Sequence, residues 1–459
     1  MRKLQRYSLL LILCPACLLL TACGKMGLED NPSTNNYVPV TFDDFMALLQ
    51  DNQTMNHTSA MGDISADNIY LLYTFWATLP VGQKNAYIWA SDIFESQTEV
   101  EDWKVPYNQV LNANVVLDGL NQIGVTEVNN RKWHEIRGMA LFFRAHAFYQ
   151  LAQLFAPCYD TMPGIQQFGI PLRLVVSKDI VPRSTLKQTY DRILTDLQEA
   201  ASLLGPFTDQ RINLPSQPAA YGLLSRVHLS MGNYEQGLLY ADKCLQTDST
   251  LINYDTLHVN TNNVFKGRNP EILFHSEFYS SAAAIKGIVA TGAIVDSMLY
   301  TSYDSNDLRK KAFFLANTSG AINLKYGYGG TIYQFSGIAT DEIRLIRAEC
   351  HARLGHVAQA LYDLNSLVRH RWKAAAYTPI EESDPQKLLM LILDHRRKEL
   401  PFRGLRWTDL RRLNKEGRNQ TLVRKLNGNS YSLEPGNNRY TLPIPNDIIG
   451  MTGMWQNPR

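Results

Sequence analysis

The sequence predicts a mostly α-helical protein: helix–turn–helix pairs as scaffold, with large loop-rich insertions and an irregular C-terminal region. Three observations predict it. Apolar residues recur at helical spacing over long segments. Two segments far apart share one helix–glycine–helix pattern. Elsewhere the periodicity fades into stretches rich in Tyr, Trp, Asn, Asp, Ser and Gly.

Residues 1–22 place Arg2, Lys3 and Arg6 before an almost wholly apolar run, Ser8 to Leu20. That pattern reads as an export signal, because the run is too short to span a bilayer comfortably. It ends in Leu20-Thr21-Ala22-Cys23-Gly24, which resembles a bacterial lipobox, where the cysteine becomes the mature N-terminus and carries acyl chains. Each buried CH₂ contributes about 0.8 kcal/mol, so several chains hold a water-soluble body on a membrane without a spanning helix. An ordinary secretory signal with an incidental Cys23 is the alternative. Residues 23–40 are polar and turn-rich and suit a flexible tether. Loss of residues 1–22 removes three basic and no acidic residues, which brings 45 Lys and Arg down to 42 against 43 Asp and Glu. With no basic stripe or charged tail, nothing points to nucleic acid. Beyond the signal no apolar run reaches the length of a membrane helix.

From Thr41 the helices follow in order. Phe42, Phe45, Leu48 and Leu49 have helical spacing, with Thr41 as N-cap. The clearest helix covers about Arg137 to Phe155, where Leu141, Ala145, Phe148, Ala152 and Phe155 share one face. Another covers about Leu186 to Leu204, opened by a Thr185/Gln188 capping box. Ala220 to Leu245 and Ile343 to Val368 each read helix, glycine turn, helix. Gly232 aligns with Gly355, Leu223 with Ile346 and Leu238 with Leu361. Glycine supplies the left-handed turn that folds one helix back on the next. Such pairs resemble tetratricopeptide units, here separated by large insertions; unrelated helix hairpins are the alternative. Cys244 and Cys350 fall on apolar helix faces as small hydrophobes, and with Cys158 they define no disulfide framework.

The insertions carry the aromatics. Residues 52–110 hold Tyr70, Tyr73, Trp76, Tyr87, Trp89, Trp103 and Tyr107, and residues 250–340 hold Tyr279, Tyr300, Tyr303, Tyr326, Tyr328 and Tyr333 among glycines. Both read as loops and short strands. Leu442-Pro443-Ile444-Pro445 can be neither helix nor central strand.

No catalytic motif survives scrutiny. His134-Glu135-Ile136-Arg137-Gly138 opens like a zinc-protease helix, but Gly138 stands where the second histidine belongs. G-x-S-x-G and phosphate-loop signatures are absent from the sequence. Asp304-Ser305-Asn306-Asp307 lacks the rest of a calcium loop. The expectation is a non-enzyme with no catalytic residue, no cofactor and no metal.

The C-terminal third carries a more specific pattern. Arg344-Leu345-Ile346-Arg347-Ala348-Glu349-Cys350 begins a helix pair, and His395-Arg396-Arg397-Lys398-Glu399-Leu400-Pro401-Phe402-Arg403-Gly404-Leu405-Arg406-Trp407-Thr408-Asp409-Leu410-Arg411-Arg412 follows. Pro443-Ile444-Pro445 and Gln456-Asn457-Pro458 come near the end. With Trp103, Tyr107, Asn112-Ala113-Asn114 and Phe143-Arg144-Ala145, this set resembles the SusD/RagB family of outer-membrane nutrient-binding lipoproteins over nearly the whole chain. Two acids of the family pattern are replaced, by His395 and Arg403. Arg396 with Glu399, and Arg406 with Asp409, lie three apart on a helix and share a face. The block therefore reads as a paired structural cluster.

The resemblance implies a SusD-like fold: a signal peptide (1–22), a tether (23–40), an N-terminal region with the ligand-binding insertion (41–215) and a C-terminal region with the helix pairs (216–459). It implies a protein lipidated at Cys23 and anchored on the exterior of the outer membrane. Such a protein binds an oligosaccharide or polysaccharide and acts as lid for a TonB-dependent (SusC-like) barrel. Sugars offer an apolar C–H face and a hydroxyl rim, so flat rings and amides or carboxylates are the expected contacts. Tyr73 and Trp76 are the candidate platforms, with Trp89 next and Asn85 and Asp92 as polar contacts. Helical core packing is the competing role for the spacing of Tyr70, Tyr73 and Trp76. Peptide capture, a lipid-anchored glycoside hydrolase and a protein-binding scaffold are the alternatives.

Overall fold

A computed structural model of the chain describes residues 39–160, 167–206, 212–279, 281–287 and 292–459. Cys23, the export signal and nearly all of the tether lie outside the described residues. Val40–Arg459 fold together as one unit.

Helices Glu101–Ile123 and Asn130–Phe155 form a packed hairpin, with helix Leu186–Leu203 against the second of them. Nearly every side chain from Ile136 to Phe155 is buried, because this helix is covered on several sides. That breadth explains why it begins seven residues before the predicted start. Its polar first turns pack Trp133, whose indole donates to Leu120 O at 2.9 Å. The expected caps form: Thr41 and Asp44 make a reciprocal capping box, as do Thr185 and Gln188.

Both predicted helix pairs are present. Gln217–Met231 and Tyr234–Thr247 turn at Gly232 (φ +75°), and Thr340–Arg353 and Val357–Arg369 turn at Gly355 (φ +80°). Helix Tyr234–Thr247 packs against Thr340–Arg353, so the two pairs stack despite the long insertion between them. At their seam a Cβ on Gly237 would stand 3.1 Å from Cys350 Sγ. Cys244 and Cys350 are buried and unpaired, and burial pushes both thiols well above their ordinary range.

The short strands expected in the insertions stitch them together by two-stranded pairings. His57–Thr58 runs parallel to Glu277–Phe278, and Ile69–Leu71 antiparallel to Ala293–Val295 with Tyr70 opposite Ile294.

The arginine-rich block is a buried ionic network, with partners other than the helical spacing suggests. Arg396 bonds Asp409 at 2.9 Å instead of Glu399, and Arg406 clasps Asp67 at 2.7 and 2.8 Å instead of Asp409. Glu399 is held by Arg309 at 2.9 Å and Arg371 at 2.6 Å, and Arg412 forks onto Glu349 at 2.5 and 2.8 Å. The two replaced acids are compensated. Arg403 meets Asp341 at 3.1 Å and lies over Tyr328 and Phe335, while His395, which burial keeps neutral, touches Arg309 at 3.2 Å. Charges this deep persist only when matched, since an unpaired buried ion costs several kcal/mol.

Candidate ligand-binding site

The strand Ile69–Leu71 buries Ile69 and Leu71 and turns Tyr70 outward, as period-2 alternation requires. The chain then enters the short helix Tyr73–Trp76, held to the second insertion by Leu72 N–H donating to Gly292 O at 3.0 Å. Phe75 packs where Gly292 has no side chain: a Cβ there would sit 2.0 Å from Phe75 Cβ. With Phe75 turned inward, Tyr73 faces out, and Trp76 one turn on lies half-buried beside it.

Their rings stack with centroids 5.8 Å apart and planes at 27°. Tyr70, Leu72 and Tyr73 are 43%, 46% and 46% exposed. Trp76 is half-buried and fixed, because its Nε1–H donates to Lys84 O at 3.0 Å and the Lys84 ammonium lies 5.9 Å from its ring centre. A pre-set, solvent-open aromatic strip loses little rotamer freedom when it receives an apolar face.

The other candidates lie elsewhere. Trp89, expected as a third ring, is 2% exposed. Its indole donates to Ser65 O at 3.0 Å and Arg424 lies 5.0 Å from its ring centre, so it is core. Asn85, expected as a polar contact, is buried. Its amide donates to Asp92 O, Ile93 O and Glu95 Oε1, which ties down a turn instead of facing solvent. Asp92 is exposed and caps that same turn by accepting from Glu95 N–H at 2.8 Å. Tyr70 and Lys84, which flank the platform, were not among the expected contacts. The alternation Ile69-Tyr70-Leu71 is the signal that marks Tyr70 as outward. Trp103 and Tyr107 are packed together, and the Tyr107 hydroxyl donates to Pro171 O at 2.9 Å.

A larger cavity, about 540 Å³, lies between the first turns of helix Glu101–Ile123, residues 171–181 and helix Asn446–Thr452. Leu111, Val175, Ile180 and Met451 give it aliphatic walls. Trp103, Tyr107, Asn108, Asn114, Arg173 and Asp179 line it as well, so apolar and polar groups share its walls. Among the described residues no three or more His, Cys, Asp or Glu side chains gather to hold a metal ion, and no helix is long and apolar enough to cross a membrane.

Two family models match the chain: one described as "starch-binding associating with outer membrane" over residues 30–229, the other as the SusD family over residues 329–459. The chain belongs to the SusD/RagB family. A curated SusD-like protein P2 of Formosa agariphila is 21% identical over 411 residues, covering 75% of this chain and 76% of that protein. Among solved structures, a putative sugar binding protein of Bacteroides vulgatus superposes with TM-score 0.75 at 20% identity, over 92% of this chain and 99% of its own. A SusD superfamily protein of Bacteroides thetaiotaomicron does so with TM-score 0.75 at 21% identity, over 92% and 100%. The mostly helical SusD-like fold is thereby established, together with membership of a family whose matching description is outer-membrane associated.

Proposed function

We propose that this SusD/RagB protein captures glycans on the outside of the outer membrane and passes them on chemically unchanged. The single observation that carries the reading is the Tyr73–Trp76 strip: an exposed tyrosine ring stacked on a half-buried tryptophan that a hydrogen bond to Lys84 O holds in place. The apolar face of a sugar ring would lie on the strip, with the Tyr73 hydroxyl and Lys84 at its hydroxyl rim. The name of the B. vulgatus neighbour and the starch-binding description of the family model favour a carbohydrate over other ligands.

Acyl chains on Cys23, followed by the tether 23–40, would moor the body. The partner would be a TonB-dependent barrel over which residues 41–459 form a lid. Mooring raises the local concentration of lid at barrel, so modest contacts suffice. Residues 41–215 would supply the platform, and residues 216–459 the stacked pairs and ionic network that hold it. Peptide capture is a second reading, favoured by the 540 Å³ aliphatic cavity.

Calorimetry of the purified protein against a neutral oligosaccharide panel tests the proposal. Binding is expected, and Tyr73→Ala with Trp76→Ala is expected to abolish it, while Tyr73→Ala alone, at an exposed ring, is expected to weaken it without lowering the melting temperature. Absence of binding to every glycan, or release of reducing ends from any of them, would overturn it. Co-purification of a barrel from native membranes tests the partner.

A further inference from the structure

The helix that carries Lys84 against Trp76, Val81–Tyr87, has a second cavity on its other side, about 250 Å³ in volume. Met61 and Phe94 form its apolar wall; Gln97, Glu101, Asp102 and Tyr279 line the polar one. Among the described residues that line it there is no Lys, Arg or His.

The polar wall has an excess of acceptors. Asp102 uses Oδ1 to accept from Ser59, and Glu101 uses Oε2 to accept from Ser281 Oγ at 2.5 Å, so neither carboxylate is paired with a cation among the described residues. The Gln97 amide oxygen lies against Gly82, 3.2 Å from where a Cβ would stand, and its position depends on that bare backbone. Tyr279 is 8% exposed and its hydroxyl has no hydrogen-bond partner. Burial, then the charges of Asp102 and Glu101, holds the proton on that hydroxyl. The cation on the same helix, Lys104, is paired with Glu99 at 2.8 Å. Burial, and then the neighbouring charge of Glu101, pushes Asp102 up to about 6, as for a carboxyl that lacks a cation.

We propose that this cavity receives a primary ammonium group of the captured ligand, carried by an amino sugar or by a peptide. An ammonium has three donors and no acceptor, which matches two carboxylates without a cation beside an amide oxygen and an unpartnered phenol. A uronate or sulfate would meet like charge at this wall. The cavity lacks the gathered ligand set of a metal site. The inference rests on the capture proposal and names the substrate class that adjoins the platform.

The test is calorimetry of the purified protein with two matched pairs: a glucosamine trisaccharide against its N-acetylated form, and triglycine against acetyl-triglycine. In at least one pair the free amine is expected to bind about tenfold tighter, as one charge-assisted hydrogen bond implies. Asp102→Asn and Glu101→Gln should each shrink that gap to about twofold or less while the acetylated ligand binds as before. Glu101 is exposed, so its variant remains informative if Asp102→Asn fails to fold. The pair that shows the gap identifies the source of the amine. Equal affinity within both pairs, or a gap that survives both substitutions, would overturn the inference. Equal affinity within both pairs in the parent protein, with neutral-glycan binding intact, refutes only the cavity. A gap in the parent protein that both carboxylate substitutions close, with no effect of Tyr73→Ala and Trp76→Ala on neutral glycans, refutes only the platform.

Discussion

Glu349→Gln should lower the stability of the folded body by about 3–4 kcal/mol at pH 7. Glu349 is fully buried and takes both arms of Arg412, at 2.5 and 2.8 Å, and Arg353 at 2.9 Å. Asp409 then remains as the nearest counter-charge of Arg412, at 2.9 Å. Breaking one side of a buried pair costs about 3–5 kcal/mol. Proton linkage gives a similar size independently. Burial pushes the Glu349 carboxyl up, but Arg412 together with Arg353 and Arg396 more than offsets it and lowers the group from 4.5 to about 2, and each such unit is worth about 1.4 kcal/mol. Because the folded value is depressed, this stabilisation is complete above pH 4.5 and disappears as pH falls toward 2. Residues 40–459 carry an unfolding entropy near 0.9 kcal/mol/K, so the melting temperature should drop by about 4 °C. Scanning calorimetry of parent and variant at pH 7 and pH 3 measures both effects. A drop under about 1 °C at pH 7, or an equal drop at both pH values, would refute the reasoning. Lys132→Ala, which removes the exposed pair with Asp43, is the control and should change little.

Three other outcomes are expected. Trp89→Ala should destabilise by about 3–5 kcal/mol in thermal melts, whereas Trp76→Ala, at a half-buried ring, should lower the melt less and weaken glycan binding by about tenfold or more in calorimetry. Gly292→Ala should push Phe75 outward, tilt the Tyr73–Trp76 helix and weaken the same binding by about tenfold, a loss read by titration. Asp63→Asn should gain melting temperature relative to the parent as pH rises from 5 to 8. Burial raises the Asp63 carboxyl from 3.8 to about 7, so its stabilising contribution is full below pH 4 and lost as pH climbs through 7. Asparagine keeps the acceptor for Gly404 N–H, which Asp63 Oδ2 engages at 2.7 Å.

The helices were legible because their information is local. The Thr41 and Thr185 caps, the 3.6-residue face through Leu141 and Phe148, and the glycines at 232 and 355 are each decided within a few residues. Tyr73 and Trp76 were legible as aromatic residues near a surface, but which ring would be open was not. The set of Tyr73 and Trp76 depends on Gly292, more than 200 residues away. The burial of Trp89 depends on Arg424, more than 300 residues away. The ionic block shows the same limit. Spacing of three suggested Arg406 with Asp409, yet Asp67 reaches Arg406 from the opposite end of the chain. Nothing near Arg403 in sequence announces Asp341.

The pairing of Ile69–Leu71 with Ala293–Val295 bears on how such proteins change diet. A recombination event that swaps one insertion alone would import rings without the rail that aims them. Exchanges that alter preference while keeping affinity should therefore carry both stretches at once, and an engineer transplanting selectivity between relatives would have to cut the gene in two places.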